Sequence, residues 1–531
     1  MKVSDCIIIC LENEDVEYVF GIVGKETLGL AESLAKSKQI QYVNVRHEQG
    51  AAFMADVYGR LSQKVGVCLS TLGPGATNLL TGISSSNLDH SPLVALIGQA
   101  SMERHHPESH QFLDIVKIFE PATKWSTQLM DSQNTPVVIR KAFKVAKMEK
   151  PGSVAIVIPE NFLTQQISNK PLFVNPLHKT VPGTETLRAA LSLIENRMKP
   201  FILVGNGVIR QNAVIELQTF INTLQAPVTH SFMAKGILEK EHPANYFTFG
   251  FNENDEVVPG IQEADLLITI GLDFVEQLPQ HWNDKKIPVL HIDSLPAEIN
   301  EYYPVEIECV GNIQKTLQLL NQMGPPAKPW APYGNLKGKI MSANQIKDNL
   351  PKTSNTPFTI EDMLHCIEDF TSENTIVISD VGAHKVSIAR TYQPKKPNRL
   401  IVSNGLASMG IAIPGSIGAK LACPKDPVIC ITGDGGALMN FAEIETAKRL
   451  GLSFIIIVIN DAILKLEVQQ MMKLFGESYG VSFHNPDFIQ LAASFGIKGI
   501  RAENLTEFET ILKESLQTLD EIVLIEVNMQ N

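Results

Sequence analysis

The chain reads as short, almost uninterrupted apolar runs separated by longer stretches in which apolar residues recur at helical spacing. Residues 18–23, 40–45, 65–70, 93–98 and 153–158 form the first set of runs. Each is brief, bounded by turn residues and apolar at nearly every position, which predicts strands buried on both faces of a parallel sheet covered by helices. A second set follows at 200–204, 266–270 and 289–292, and a third at 375–379, 428–433 and 454–459. A polar, proline-containing stretch at 169–182 separates the first two sets. The segment GPPAKPWAPYG at 324–334 separates the last two, and its prolines exclude regular helix or strand. The pattern predicts three parallel-sheet α/β domains, at 1–170, 185–340 and 358–531. It shows neither a sequence repeat nor a low-complexity tract.

Bulk properties narrow the partners. A chain of 531 residues is too long for one hydrophobic core. Its hydrophobic fraction of 44% and charged fraction of 19% are those of a soluble globular protein. A net charge of −12 without a Lys/Arg cluster argues against nucleic acid. The apolar N-terminal stretch is interrupted by Glu12, Glu14 and Asp15, so neither a signal peptide nor a membrane span is expected. Seven cysteines, odd in number and without a CxxC pair, predict buried reduced thiols in a cytoplasmic protein.

The most informative chemistry lies at 428–463. A strand ends in Gly433-Asp434-Gly435-Gly436, an amphipathic helix follows, and a second strand ends in Asn460-Asp461. In a parallel βαβ unit both strands deliver their C-terminal ends to one sheet edge, so Asp434 and Asp461 converge although 27 positions separate them. Two hard oxygen ligands beside a helix N-terminus suit a diphosphate held through Mg²⁺. Glu48 stands where a strand ends and a small-residue helix begins; its position alone fits equally a solvated helix start. The turn Gly205-Asn206-Gly207 begins like a dinucleotide site, but Arg210 stands where the third glycine belongs, which predicts a structural turn.

The 428–463 segment resembles the thiamine-diphosphate motif, which opens GDG and closes with Asn-Asn or Asn-Asp. That likeness implies Mg²⁺ bound by the side chains of Asp434 and Asp461 and the carbonyl of Ile463, with Gly433, Gly435 and Gly436 at the diphosphate. The run Arg46-His47-Glu48-Gln49 and its small-residue helix is similar to the segment carrying the cofactor-activating glutamate in the acetolactate synthase branch of that family. Glu48 would then be the acid bonded to the aminopyrimidine nitrogen, in a dry site that keeps it able to donate. Gly75 and Asn78, in a GPGATN turn, would face the aminopyrimidine, and Gly24 would turn its backbone to the reacting centre, with Val23 replacing the usual proline. In the segment 403–414, Met409 would support the bent cofactor and the Ala407 carbonyl would accept from its amine. Gly382 and His384 would contact the diphosphate, and Leu466 would lie beside the cofactor.

Over nearly the whole chain the best likeness is to catabolic, FAD-independent acetolactate synthase. It implies decarboxylation of pyruvate and carboligation to a second pyruvate, giving 2-acetolactate and CO₂, with thiamine diphosphate and Mg²⁺ but without FAD. Gln111 would orient the acceptor, and Lys124 closes the family's Pro-x-x-Lys segment. Gln470 stands where FAD-containing relatives carry a tryptophan that favours a larger acceptor. Glu467 departs from the pattern, since synthases have an apolar residue there. It resembles the glutamate of pyruvate decarboxylases, so the alternative reading is a 2-oxo acid decarboxylase or another carboligase. In the family Glu48 and Asp434 come from different subunits, which implies a homodimer or homotetramer.

Overall fold

A computed structural model describes residues 1–251, 255–275, 277–345, 358–518 and 520–529. Among these described residues 18 strands lie in three six-stranded sheets, and every pairing within them is parallel. The first sheet contains β1 (Tyr18–Gly21), β2 (Gln41–Asn44), β3 (Gly66–Ser70), β4 (Leu93–Gln99), β5 (Trp125–Gln128) and β6 (Ser153–Pro159). The second contains β7 (Pro200–Val204), β8 (Val228–His230), β9 (Asn245–Thr248), β10 (Leu266–Ile270), β11 (Val289–Asp293) and β12 (Val305–Val310). The third contains β13 (Ile376–Ser379), β14 (Leu400–Val402), β15 (Val428–Gly433), β16 (Ile455–Asn460), β17 (Lys498–Ala502) and β18 (Val523–Asn528). Three α/β sheets are what the apolar runs predict. The segments 169–182 and 324–333 carry no helix or strand.

The first and third sheets are wound alike. Their strand orders, β2-β1-β3-β4-β6-β5 and β14-β13-β15-β16-β18-β17, are the same permutation. Each therefore has its topological switch point beside its first strand, between β1 and β3 or between β13 and β15, the crevice where such sheets bind ligands. The second sheet runs β12-β11-β10-β7-β8-β9, with its switch point between β7 and β10.

These sheets are joined by close helix contact. The helix Glu48–Ser62 of the first packs on the helix Ala412–Ala422 of the third, and one continuous apolar core runs from Phe20 and Phe53 through Ile413 and Ile417 to Phe454. Small residues allow the approach: a Cβ on Gly418 would lie 2.3 Å from the Met54 carbonyl oxygen. The second sheet has cores of its own, centred on Phe220 and Trp282.

At this contact we expect Gly418→Ala to lose about 2 kcal/mol by overpacking. The change should appear as a lower midpoint in the thermal or urea unfolding of the full chain, and an unchanged midpoint would mean that the two helices separate at no cost.

Candidate active site

At the switch point of the third sheet a cleft opens at the strands' carboxyl edge. Its described lining includes Gly382, His384, Met409, Gly433, Asp434, Gly435, Gly436, Asp461, Ile463, Leu466 and Glu467. The register explains the convergence: Gly433 pairs with Ile459, so Asp434 and Asp461 leave adjacent strands almost level. The buried Asp434 carboxylate accepts through Oδ2 from the backbone N–H groups of Asp461 (3.2 Å) and Ala462 (2.7 Å). Oδ1 accepts from the N–H of Gly435 at 2.7 Å. Burial raises the Asp461 carboxyl, and the neighbouring charge of Asp434 adds to the shift, so a bound cation would relieve both.

Two residues of this site carry no signal that the motif reading used. Asp380, fully buried at the end of β13, accepts from the N–H groups of Val381 (2.7 Å), Gly410 (2.8 Å) and Ala412 (3.3 Å) and from the Thr432 hydroxyl (3.1 Å). It thereby ties the loop carrying Ala407 and Met409 to the glycine turn. A Cβ on Gly436 would meet its carboxylate at 3.0 Å, which gives that glycine a packing reason. Burial raises the Asp380 carboxyl, and the amides and the hydroxyl draw it back. An acid directly after a strand and before Val-Gly is the sign that could have exposed it. Asn485 lies in an irregular loop with no such mark, yet its Nδ2 donates to Asp434 Oδ2 at 2.7 Å and to Asn460 Oδ1 at 2.8 Å.

The residues fit a metal-bound diphosphate. His384 Nε2 and Asn485 Oδ1 are buried and lack a protein partner, and burial holds the His384 imidazole at about 4. Among the described residues no group of three or more His, Cys, Asp or Glu could hold a metal, and the cleft presents the two carboxylates of Asp434 and Asp461. That suits Mg²⁺, which takes a few carboxylates and completes its shell with phosphate oxygens and water. Gly435 keeps the floor open, since a Cβ there would come within 3.3 Å of Met409 Cε and 3.6 Å of Phe483 Cζ. Ala407, two residues before Met409, holds a left-handed φ of 52°, a strained conformation of the kind found at ligand sites.

A second cluster forms at the carboxyl edge of the first sheet. Glu48, buried at the start of its helix, accepts from Asn78 Nδ2 at 3.0 Å. A Cβ on Gly75 would lie 3.3 Å from Glu48 Oε1 and 3.1 Å from Thr71 Cγ2, while one on Gly24 would lie 2.7 Å from Thr71 Cβ. Gln111 packs on the turn at Gly73, where a Cβ would sit 3.0 Å from its own. Glu48, Gly24, Gly75, Asn78 and Gln111 are thus neighbours.

Two expected residues are not gathered in. Lys124 immediately precedes β5, at the amino edge of the first sheet, and its Nζ donates to the Met148 carbonyl at 2.6 Å. The opposite edge of that sheet holds Glu48. Gln470 is exposed on the helix Lys465–Phe475 and, unlike Glu467 on the same helix, is not among the residues lining the cleft. Within one chain the two clusters also stay apart, since the described residues lining the cleft all fall within 360–467.

Comparison with known proteins agrees with this geometry. Residues 1–120 match the N-terminal TPP binding domain of thiamine pyrophosphate enzymes, residues 187–320 their central domain and residues 380–527 their C-terminal TPP binding domain. The chain belongs to the thiamine pyrophosphate enzyme family. Its relatives place it among enzymes of the acetolactate synthase type. A probable acetolactate synthase large subunit of Methanococcus aeolicus is 32% identical over 97% of this chain and 90% of its own length. The acetolactate synthase of Bacillus subtilis is 29% identical over 98% of this chain and 92% of its own, and the large subunit from Haemophilus influenzae is 30% identical over 99% and 94%.

Removing the Asn485 donor leaves Asp434 Oδ2 with backbone partners alone. Asn485→Ala is expected to weaken thiamine diphosphate binding by about tenfold, as loss of an outer partner of a metal ligand does. Calorimetric titration at fixed Mg²⁺ checks this, and wild-type affinity would show that Asn485 does not hold the carboxylate in place.

Proposed function

We propose that the protein condenses two molecules of pyruvate to 2-acetolactate with release of CO₂, using thiamine diphosphate and Mg²⁺. The observation that carries this reading is the pair of carboxylates, Asp434 and Asp461, converging at the switch point of a sheet whose twin presents Glu48 at the equivalent edge. Bound thiamine diphosphate supplies the electron sink for decarboxylation. Asp434, Asp461 and the Ile463 carbonyl would hold the metal, and His384 with the glycine turn would receive the diphosphate. Met409 and Leu466 would support the rest of the cofactor. Glu48, its Oε2 engaged by Asn78, would turn its other oxygen to the aminopyrimidine nitrogen. Gln111 would orient the acceptor.

This reading needs two chains, because the two clusters do not share a cavity in one. Apolar side chains of both layers are exposed, among them Leu406, Met439, Met472 and Phe475 of the third and Leu28 and Leu113 of the first. A homodimer that seats the first sheet of one copy against the third sheet of another would cover them and close a dry site. Among the described residues no helix is long and apolar enough to cross a membrane.

The middle sheet supports a reading without FAD. At its switch point, where a dinucleotide would enter, the two glycine turns close on each other and a buried ion pair stands beside them. A Cβ on Gly207 would lie 2.7 Å from Gly271 Cα. Arg210 Nη1 lies 2.5 Å from Asp273 Oδ2, and Lys150 Nζ lies 2.9 Å from Oδ1. Burial alone would raise the Asp273 carboxyl, but Arg210, His90 and Lys150 outweigh it and hold it well below the usual carboxylate range. The purified protein is therefore expected to release no flavin on denaturation, and stoichiometric FAD in the supernatant would overturn this part of the reading.

Glu467 favours a second outcome. It lines the cleft, where an acid can protonate an intermediate before an acceptor arrives. Proton NMR of products from pyruvate, thiamine diphosphate and Mg²⁺ decides between them. Acetolactate is expected, at a rate lowered about a hundredfold or more in Glu48→Gln, whereas acetaldehyde would make the protein a decarboxylase.

A further inference from the structure

The helix that begins with Glu48 is held at its N-terminus by a carboxylate from the other end of the chain. Glu443, buried at the start of the helix Glu443–Arg449 in the third sheet's layer, accepts through Oε1 from the backbone N–H groups of both Arg46 and His47, each at 3.0 Å. Its Oε2 accepts from the Thr446 hydroxyl at 2.7 Å. Gly50 makes the approach possible, since a Cβ there would lie 2.6 Å from Glu443 Oε1. An anion at this end also suits the helix dipole and occupies N–H groups that have no partner within the helix.

We propose that Glu443 is the positioning residue of Glu48. The inference rests on the reading of Glu48 as the residue that activates the cofactor. Arg46 and His47 immediately precede Glu48, and His47 caps its helix by accepting from the Gln49 N–H through Nδ1 at 3.1 Å. Fixing two consecutive N–H groups to one oxygen fixes the direction in which the backbone enters the helix, and with it the Cα–Cβ vector of Glu48. The Asn78 bond then selects the carboxylate's rotamer from the opposite side. Glu443 touches neither cofactor nor substrate in this arrangement. It acts by keeping Glu48 in reach of one ring nitrogen, where a displacement of about 1 Å costs orders of magnitude in rate.

The test uses the full chain with thiamine diphosphate and Mg²⁺, comparing Glu443→Ala, Glu443→Gln and Glu48→Gln. Three quantities are read: hydrogen exchange of the amides at Arg46 and His47, deuterium exchange at C2 of the bound cofactor, and cofactor affinity by calorimetry. In Glu443→Ala those amides are expected to lose protection and C2 exchange to slow at least about tenfold, with affinity kept within about threefold. Glu443→Gln, which retains the accepting oxygen, should restore both exchange readouts, a rescue that general destabilisation of the chain would not produce. C2 exchange at the wild-type rate in Glu443→Ala, or amides still protected there, would overturn the proposal. Should Glu443→Ala not fold, Glu443→Gln and wild type still decide: unprotected Arg46 and His47 amides in the wild type sink it. Glu48→Gln separates the underlying reading, because wild-type C2 exchange in that variant removes Glu48 from the chemistry whatever Glu443 does.

Discussion

The site depends on a carboxylate that is anchored by the next strand's backbone. Asp434 leaves β15 already bonded to the amides that follow β16, so its geometry is set by the sheet and not by a ligand. Such an anchor is available only at the carboxyl edge of parallel strands, where successive strand ends come level and loops are free to carry chemistry. Asp380 extends the same device one strand over, binding the loop that holds Met409 to the end of β13. The acids nearest the cleft are therefore held chiefly by main-chain donors, which cannot rotate away.

A shared winding order places the two clusters. The first and third sheets present equivalent edges, one carrying Glu48 and the other Asp434 with Asp461. Between them the helices Glu48–Ser62 and Ala412–Ala422 pack so closely, through Gly418 and the alanines of the first helix, that the two sheets share one core. The middle sheet keeps separate cores and spends its switch point on the Arg210 and Asp273 pair.

Much of this was legible in the sequence where burial is complete. Strands such as β3, β4 and β15 are apolar on both faces and announce themselves as unbroken runs, and the spacing from Asp434 to Asp461 follows from one helical crossover. Strands at sheet edges were harder to see. β12 reads Val-Glu-Ile-Glu-Cys-Val, with one face to solvent, and β17 carries Lys498 and Arg501, so neither has the composition of a buried strand. The winding shared by two sheets leaves no trace as a sequence repeat, because topology survives without residue identity. Asn485 and Glu443 were invisible for another reason: a polar residue whose partners lie in a distant segment, the Asp434 and Asn460 side chains for Asn485 and the Arg46 and His47 amides for Glu443, has no local signature. Lys124 shows the converse, a residue matched by motif that the strand direction carries to the far edge of its sheet.

The separation of Glu48 from the cleft has a genetic consequence. In the proposed dimer each site draws its activating acid from one copy and its metal ligands from the other, so when one copy is damaged at Glu48 and the other at Asp434 both lesions fall in the same site. Two alleles, one defective at Glu48 and one at Asp434, would complement each other in the same cell, because one of the two sites in a mixed dimer receives both intact halves. Two alleles defective within the same cluster would not.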